Sequence, residues 1–106
     1  MSQATQATRR ALTATEIITR LTQLNGQRPQ GWKLIDGALE KSFEFPDFQG
    51  ALNFVNAVGF IAQAQDHHPD LHLGFGRCTV RFNTHDVAGI SISDFTCAAK
   101  VDALLD

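Results

Sequence analysis

Three of the four histidines stand where one apolar pattern ends and another begins. His67 and His68 follow Asp66 and precede Pro69, at the end of a helix-like segment, and His85 follows a strand-like segment. Functional side chains often collect at the ends of rigid elements. Imidazole groups exchange protons near neutral pH, so this arrangement suggests acid–base catalysis.

Two other interpretations stay open from spacing alone. The histidines could be ordinary polar surface residues, which explains the pattern as well as catalysis does. They could also bind a metal through His67, His68, His72 and His85. Metal binding is the weaker hypothesis, because Pro69 interrupts the helical spacing that would bring His68 and His72 together. Neither a CxxC nor an HExxH motif accompanies them.

Composition indicates one compact domain. The chain has 106 residues, of which 43% are hydrophobic, enough to bury a core. Its formal charge of −2 and lack of a basic block argue against nucleic-acid or anionic-membrane partners. The first ten residues are polar and no apolar run approaches the roughly 20 residues of a membrane span, so we expect a cytoplasmic protein. Cys78 and Cys97 lack metal-ligand spacing and are predicted to be reduced core residues.

Polar caps followed by apolar residues at spacings of three and four predict three helices. The first is expected from about Ala14 to Leu24, after a capping box of Thr13 and Glu16, and the second from Asp47 to Gln65, with Asp47 as a candidate cap. The third begins after the caps in Ser91–Asp94.

The second helix is predicted to be amphipathic. Its inward stripe is expected to contain Phe48, Leu52, Val55, Gly59 and Ala62, and to be widened by Ala51, Val58 and Ile61. The aromatic residues off that stripe are expected to face a partner subunit: Phe54 and Phe60.

Alternating apolar residues predict four short strands. The first two, Gly31–Ile35 and Ala38–Phe45, flank the turn signal Asp36-Gly37. The others contain the alternating sets 71, 73, 75 and 78, 80, 82. The order α-β-β-α-β-β-α predicts an α+β two-layer sandwich, in which three helices cover one face of a four-stranded antiparallel sheet. Residues 1–12 are expected to form a flexible tail, and residues 13–106 a single domain.

From Gln63 to Asp94 the chain resembles the pterin-4a-carbinolamine dehydratase family in its spaced motif. That family's motif is a charged residue, three spacers, His-His-Pro, an aromatic after five or six residues, a histidine after nine more and an aspartate after at least eight. Here His67-His68-Pro69, Phe75, His85 and Asp94 follow Gln63 at those spacings. The resemblance extends over the chain except for the N-terminal tail.

The resemblance implies removal of water from a 4a-hydroxytetrahydropterin to give the quinonoid dihydropterin, without a metal or organic cofactor. It implies catalytic roles for His67, His68 and His85, with acid and base unassigned. Substrate-binding or supporting roles are implied for a second set: Gln63, Asp66, Pro69, Phe75, Thr84 and Asp94. Within that set we expect Asp94 to act mainly as a helix cap, and Phe75 to be a core residue rather than a pterin-stacking one.

Two positions depart from the family pattern. Gln63 stands where the enzymes commonly have Glu, and Leu71 where members often have Trp. Gln cannot ionise or accept a proton. The alternative function is therefore that of non-catalytic family members, which act as Rubisco assembly factors in carboxysome-bearing bacteria. The implied partners are a pterin, further copies in a homodimer or homotetramer and, for the alternative, the Rubisco large subunit with carboxysome association.

Overall fold

The computed structural model describes residues 10–106. The predicted order α-β-β-α-β-β-α is confirmed. The helices are α1 (Ala14–Asn25), α2 (Phe48–Gln65) and α3 (Ile92–Ala103). The strands are β1 (Lys33–Ile35), β2 (Ala38–Glu44), β3 (Asp70–Gly74) and β4 (Arg77–Phe82), and a short 3₁₀ turn spans His85–Val87.

The four strands form one antiparallel sheet in the order β1-β2-β4-β3. Its register places apolar residues opposite each other, as in the pairs Leu39–Phe82 and Phe43–Cys78. Successive side chains point to opposite faces of a strand, so the intervening residues form a polar face. On that face Glu40 pairs with Arg81 across the two central strands. The sheet therefore has one apolar face for the helices and one polar face.

The helices bury the apolar face of the sheet. α2 contacts β3 and β4, α3 contacts β4, and α1 packs against α3. Both cysteines are reduced and buried in this core, as predicted. Burial raises the pKa of the Cys78 thiol, because an apolar environment disfavours the thiolate. None of the helices in the described part of the chain is long and apolar enough to cross a membrane.

The predicted orientation of α2 is correct for Ala51, Val58 and Ala62 but wrong for Phe48, Gly59 and Phe54. Its buried residues are Ala51, Phe54, Val58 and Ala62, whereas Phe48 is 44% exposed. Phe54 does not face a partner: it is 4% exposed, and its ring centroid lies 4.7 Å from that of Phe43. Apolar residues occur on several sides of this helix, so periodicity identified the buried side only in part. Contact of Phe54 with Phe43 of β2, and with Phe45 just after that strand, completes it.

The N-terminal segment is anchored at Leu12. This side chain is 8% exposed within the core, and its backbone N–H donates to the Ile90 carbonyl oxygen at 2.8 Å. Leu12 belongs to the segment predicted to be a flexible tail, so the packed structure includes the end of that segment. Residues 1–9 of the predicted tail lie outside the described residues.

A buried ion pair fastens the C-terminal half of α3 to the sheet. Lys41 Nζ donates to Asp102 Oδ1 at 2.8 Å, and the Trp32 indole N–H donates to Asp102 Oδ2 at 3.1 Å. The Lys41 and Asp102 side chains are only 10% and 4% exposed. These contacts link β2, the segment before β1, and α3, whose first turn lies at the site described next.

Candidate functional site

The C-terminal turn of α2 directs His67 into the protein. Asp66 ends the helix in a left-handed conformation with φ 51°, which aspartate tolerates better than most residues. The His67 backbone N–H donates to the Ala62 carbonyl oxygen at 3.1 Å, which is typical of a helix that ends with a tight reversal. His67 is consequently 6% exposed, with its ring plane 9° from that of Phe82 and the centroids 6.0 Å apart.

A buried carboxylate receives the His67 ring. His67 Nε2 and Asp94 Oδ1 are 2.5 Å apart, and Asp94 has no exposed surface. Asp94 lies in the first turn of α3, where the helix dipole favours a negative charge. A carboxylate in this position can stabilise an imidazolium at His67, because it supplies the compensating charge in a site away from water.

The second oxygen of Asp94 is held by two donors. Asp94 Oδ2 accepts from the Thr84 hydroxyl at 2.8 Å and from the Ser91 backbone N–H at 2.9 Å. The Ser91 and Thr84 hydroxyl oxygens are 2.7 Å apart, and Ser91 Oγ also accepts from the Ser93 backbone N–H at 3.2 Å. The expected helix-capping role of Asp94 is therefore confirmed. The same side chain also binds a histidine.

The loop that contains His85 begins at Thr84. The Thr84 backbone N–H donates to the Gly89 carbonyl oxygen at 2.8 Å, which closes the loop around the 3₁₀ turn. Ala88 completes the loop in a left-handed conformation with φ 51°. His85 is exposed at the start of this turn. The closed loop fixes the backbone from which the His85 side chain projects.

The candidate histidines therefore fall into two groups. His67 is buried and bonded to Asp94, whereas His68 and His85 are exposed. The residue before each exposed histidine, His67 or Thr84, is hydrogen-bonded to Asp94. Consecutive Cα atoms lie about 3.8 Å apart across a trans peptide bond. The Cα atom of each exposed histidine is therefore about that far from the Cα atom of a residue whose side chain binds Asp94. Convergence of all three rings on one pocket stays a prediction.

The other predicted site residues have different environments. Gln63 is exposed on the last turn of α2, and Pro69 is partly buried just before β3. The expectation that Phe75 is a core residue is wrong, because its side chain is 73% exposed. β3 ends at Gly74, so Phe75 lies in the turn to β4 instead of on the buried face.

Ser91 is the residue of this cluster that the sequence does not identify as part of the site. The sequence indicates it only as a cap of α3, yet its buried hydroxyl and backbone N–H both contribute to holding Asp94. The Ser-x-x-Asp capping signal predicts the local bonds, but it contains nothing about His67, which lies 27 positions before Asp94. Among the described residues, no group of three or more His, Cys, Asp or Glu side chains is placed to hold a metal ion.

Comparison with known proteins gives a consistent result. Residues 10–104 match the family model described as pterin 4 alpha carbinolamine dehydratase. The name "Putative pterin-4-alpha-carbinolamine dehydratase" belongs to a Paracidovorax citrulli protein that is 56% identical over 101 residues, covering 92% of this chain and 83% of that protein. A Stenotrophomonas maltophilia protein of the same name is 49% identical over 89 residues, covering 82% of this chain and 76% of that protein.

Two solved structures have a similar fold. The crystal structure of a transcriptional coactivator/pterin dehydratase from Brucella melitensis is 31% identical, with a TM-score of 0.81 over 91% of this chain and 99% of that one. A pterin dehydratase-like protein identified as a RuBisCO assembly factor in the alpha-carboxysome is 20% identical. It has a TM-score of 0.58, over 74% of this chain and 90% of that one, and its likeness concerns the fold alone.

Proposed function

Because the chain belongs to the pterin-4a-carbinolamine dehydratase family, we propose that it dehydrates a 4a-hydroxytetrahydropterin to the quinonoid dihydropterin. The observation that supports retained activity is the buried bond between His67 Nε2 and Asp94 Oδ1. A histidine that serves only as a polar surface residue does not require a buried carboxylate partner. An imidazole that gains and loses a proton during turnover benefits from one.

The proposed reaction moves two protons. A base accepts the N5 proton of the pterin, and the electrons of that N–H bond form the double bond between N5 and C4a. The bond between C4a and its hydroxyl oxygen breaks, and an acid gives that oxygen a proton so that it leaves as water. We propose that His67, His68 and His85 supply these groups, because the neutral ring accepts and the charged ring donates near neutral pH. Each transfer is worth roughly 100-fold or more in rate.

The experiment is an absorbance assay for breakdown of the 4a-carbinolamine. We expect the protein to exceed the rate in buffer, and His68→Ala and His85→Ala each to lower kcat/KM by about 100-fold. His72→Ala is the matched control, because His72 is also exposed but lies on β3, opposite Thr79. A wild-type rate equal to that in buffer would reject the dehydratase. An equal loss in the His72 variant would reject the assignment of the histidines.

Gln63 favours a second candidate, a non-catalytic assembly factor that binds the Rubisco large subunit. The residue stands at the charged position of the family motif, yet it cannot ionise, and it is exposed on α2. This candidate predicts no dehydration above the buffer rate, together with direct binding to the purified large subunit. Activity without such binding would reject it.

We also propose that the protein assembles into homodimers or homotetramers. Phe60 on α2 is 78% exposed, and Phe75 in the turn after β3 is 73% exposed, so large aromatic surfaces face solvent in one copy. β3 is an edge strand, which leaves backbone groups available for pairing. Light scattering coupled to size-exclusion chromatography tests this proposal. A monomer at micromolar concentration would reject it.

A further inference from the structure

The hydroxyl groups of Thr84 and Ser91 form a directed chain that ends on Asp94. Thr84 Oγ donates its single proton to Asp94 Oδ2 at 2.8 Å. In the hydrogen bond between the two hydroxyls, at 2.7 Å, Ser91 must then be the donor. Both side chains are 1% exposed, so water cannot readily replace either hydroxyl. These buried neighbours thereby fix the orientation of the Asp94 carboxylate about its side-chain bond.

The fixed carboxylate determines which nitrogen of His67 has the proton. An ionised carboxylate only accepts hydrogen bonds, so the contact between Asp94 Oδ1 and His67 Nε2 requires a proton on Nε2. A neutral imidazole has one N–H and one bare nitrogen. Nδ1 of His67 is therefore the atom that can accept a proton when the ring is neutral.

We propose that Thr84 and Ser91 are positioning residues, which act through Asp94 to hold His67 in the Nε2–H tautomer with Nδ1 as its proton acceptor. The tautomer follows from the hydrogen bonds described above. The use of Nδ1 in turnover rests on the proposed dehydratase function. Thr84 thus acts through its side chain, and its position next to the exposed His85 does not limit it to shaping that loop.

The tautomer can be measured directly by long-range ¹H–¹⁵N NMR of the histidine rings at mildly alkaline pH. Wild-type protein is expected to show a protonated Nε2 and an unprotonated Nδ1 at His67. Thr84→Val keeps the shape of the side chain but removes the donor, so a second tautomer should appear. We expect kcat to fall by about tenfold with KM nearly unchanged, since a hydrogen bond to a charged group is lost. Thr84→Ser retains the hydroxyl and should restore both readouts.

Two results would overturn the inference: a protonated Nδ1 at His67 in the wild type, or an unchanged tautomer in folded Thr84→Val. Ser91→Ala provides a milder test if the valine variant does not fold, because the Ser91 backbone N–H still donates to Asp94. It should produce a smaller shift in the same direction. If the wild type has the expected tautomer but no dehydratase activity, the fixed tautomer is supported and the proposed function fails.

Discussion

Replacement of Asp102 by Asn tests how strongly the buried ion pair stabilises the fold. The Asp102 carboxylate accepts from Lys41 Nζ on one oxygen and from the Trp32 indole N–H on the other. The amide of Asn has one acceptor oxygen and one donor NH₂ group. The introduced amide could satisfy one of the two partners, but its NH₂ group would then face the other donor. Lys41 would also lose the negative charge of Asp102, which compensates the positive charge of its ammonium group.

The expected destabilisation is large for a domain of this size. Removal of one partner of a buried pair costs about 3–5 kcal/mol. Lys41 retains 10% exposure and can reach some water, so we expect the lower end, about 3 kcal/mol. A domain of 106 residues has a total stability of roughly 5–15 kcal/mol. The loss should therefore lower the melting temperature by about 12 °C or more.

Urea denaturation followed by circular dichroism and by Trp32 fluorescence gives the free energy of unfolding. Trp32 is the single tryptophan of the chain and is 2% exposed beside Asp102, so its emission reports on this part of the core. Asp106→Asn is the matched control. Asp106 pairs with Arg28 at 2.8 Å, but its side chain is 54% exposed, and exposed pairs contribute little. The control should unfold at nearly the wild-type urea concentration.

A double variant shows whether the loss arises from the uncompensated lysine. Lys41→Met removes the charge, and the oxygen of the introduced amide can then accept from Trp32 alone. The double variant Lys41→Met with Asp102→Asn should therefore be more stable than Asp102→Asn, with a coupling energy of about 1 kcal/mol or more. Additive single losses would refute the reasoning, as would an Asp102→Asn protein as stable as the Asp106→Asn control.

Three further predictions concern other parts of the molecule. If the pocket binds pterin, Gln63→Glu should raise the dehydration rate measured by absorbance, because Glu restores an ionisable group, whereas an unchanged rate would show that this position is not limiting. The Arg10 side-chain hydrogen bond lowers the pKa of Glu16 to about 2. The stabilisation that ionised Glu16 gives the folded protein is thus fully present above the usual pKa near 4.5 and is lost as the pH falls toward 2. Arg10→Met should reduce this pH dependence in acid-titrated denaturation curves. The buried thiols of Cys78 and Cys97 should react with a disulfide reagent only as the protein unfolds, and rapid labelling in native buffer would contradict their burial.

The parts of the fold that the sequence predicted correctly are those with local causes. The capping box of Thr13 and Glu16 begins α1 as expected, and Asp47 caps α2 through the Gly50 N–H. The orientation of α2 has no such local cause, because its apolar residues surround much of the helix. Phe54 is buried because β2 presents Phe43 to it, and that contact requires the assembled sheet.

Asp94 shows why local interpretation of a site residue is incomplete. Helix capping and binding of a histidine side chain are alternatives only if a carboxylate is treated as one acceptor. Asp94 has two oxygens, and Oδ2 accepts from Ser91 and Thr84 while Oδ1 faces His67. The cap fixes the carboxylate, and the fixed carboxylate then fixes the imidazole. Loss of activity after substitution of Asp94 would therefore not separate the two roles. Removal of the Thr84 hydroxyl would separate them, because the Ser91 backbone N–H would still donate to Asp94 Oδ2.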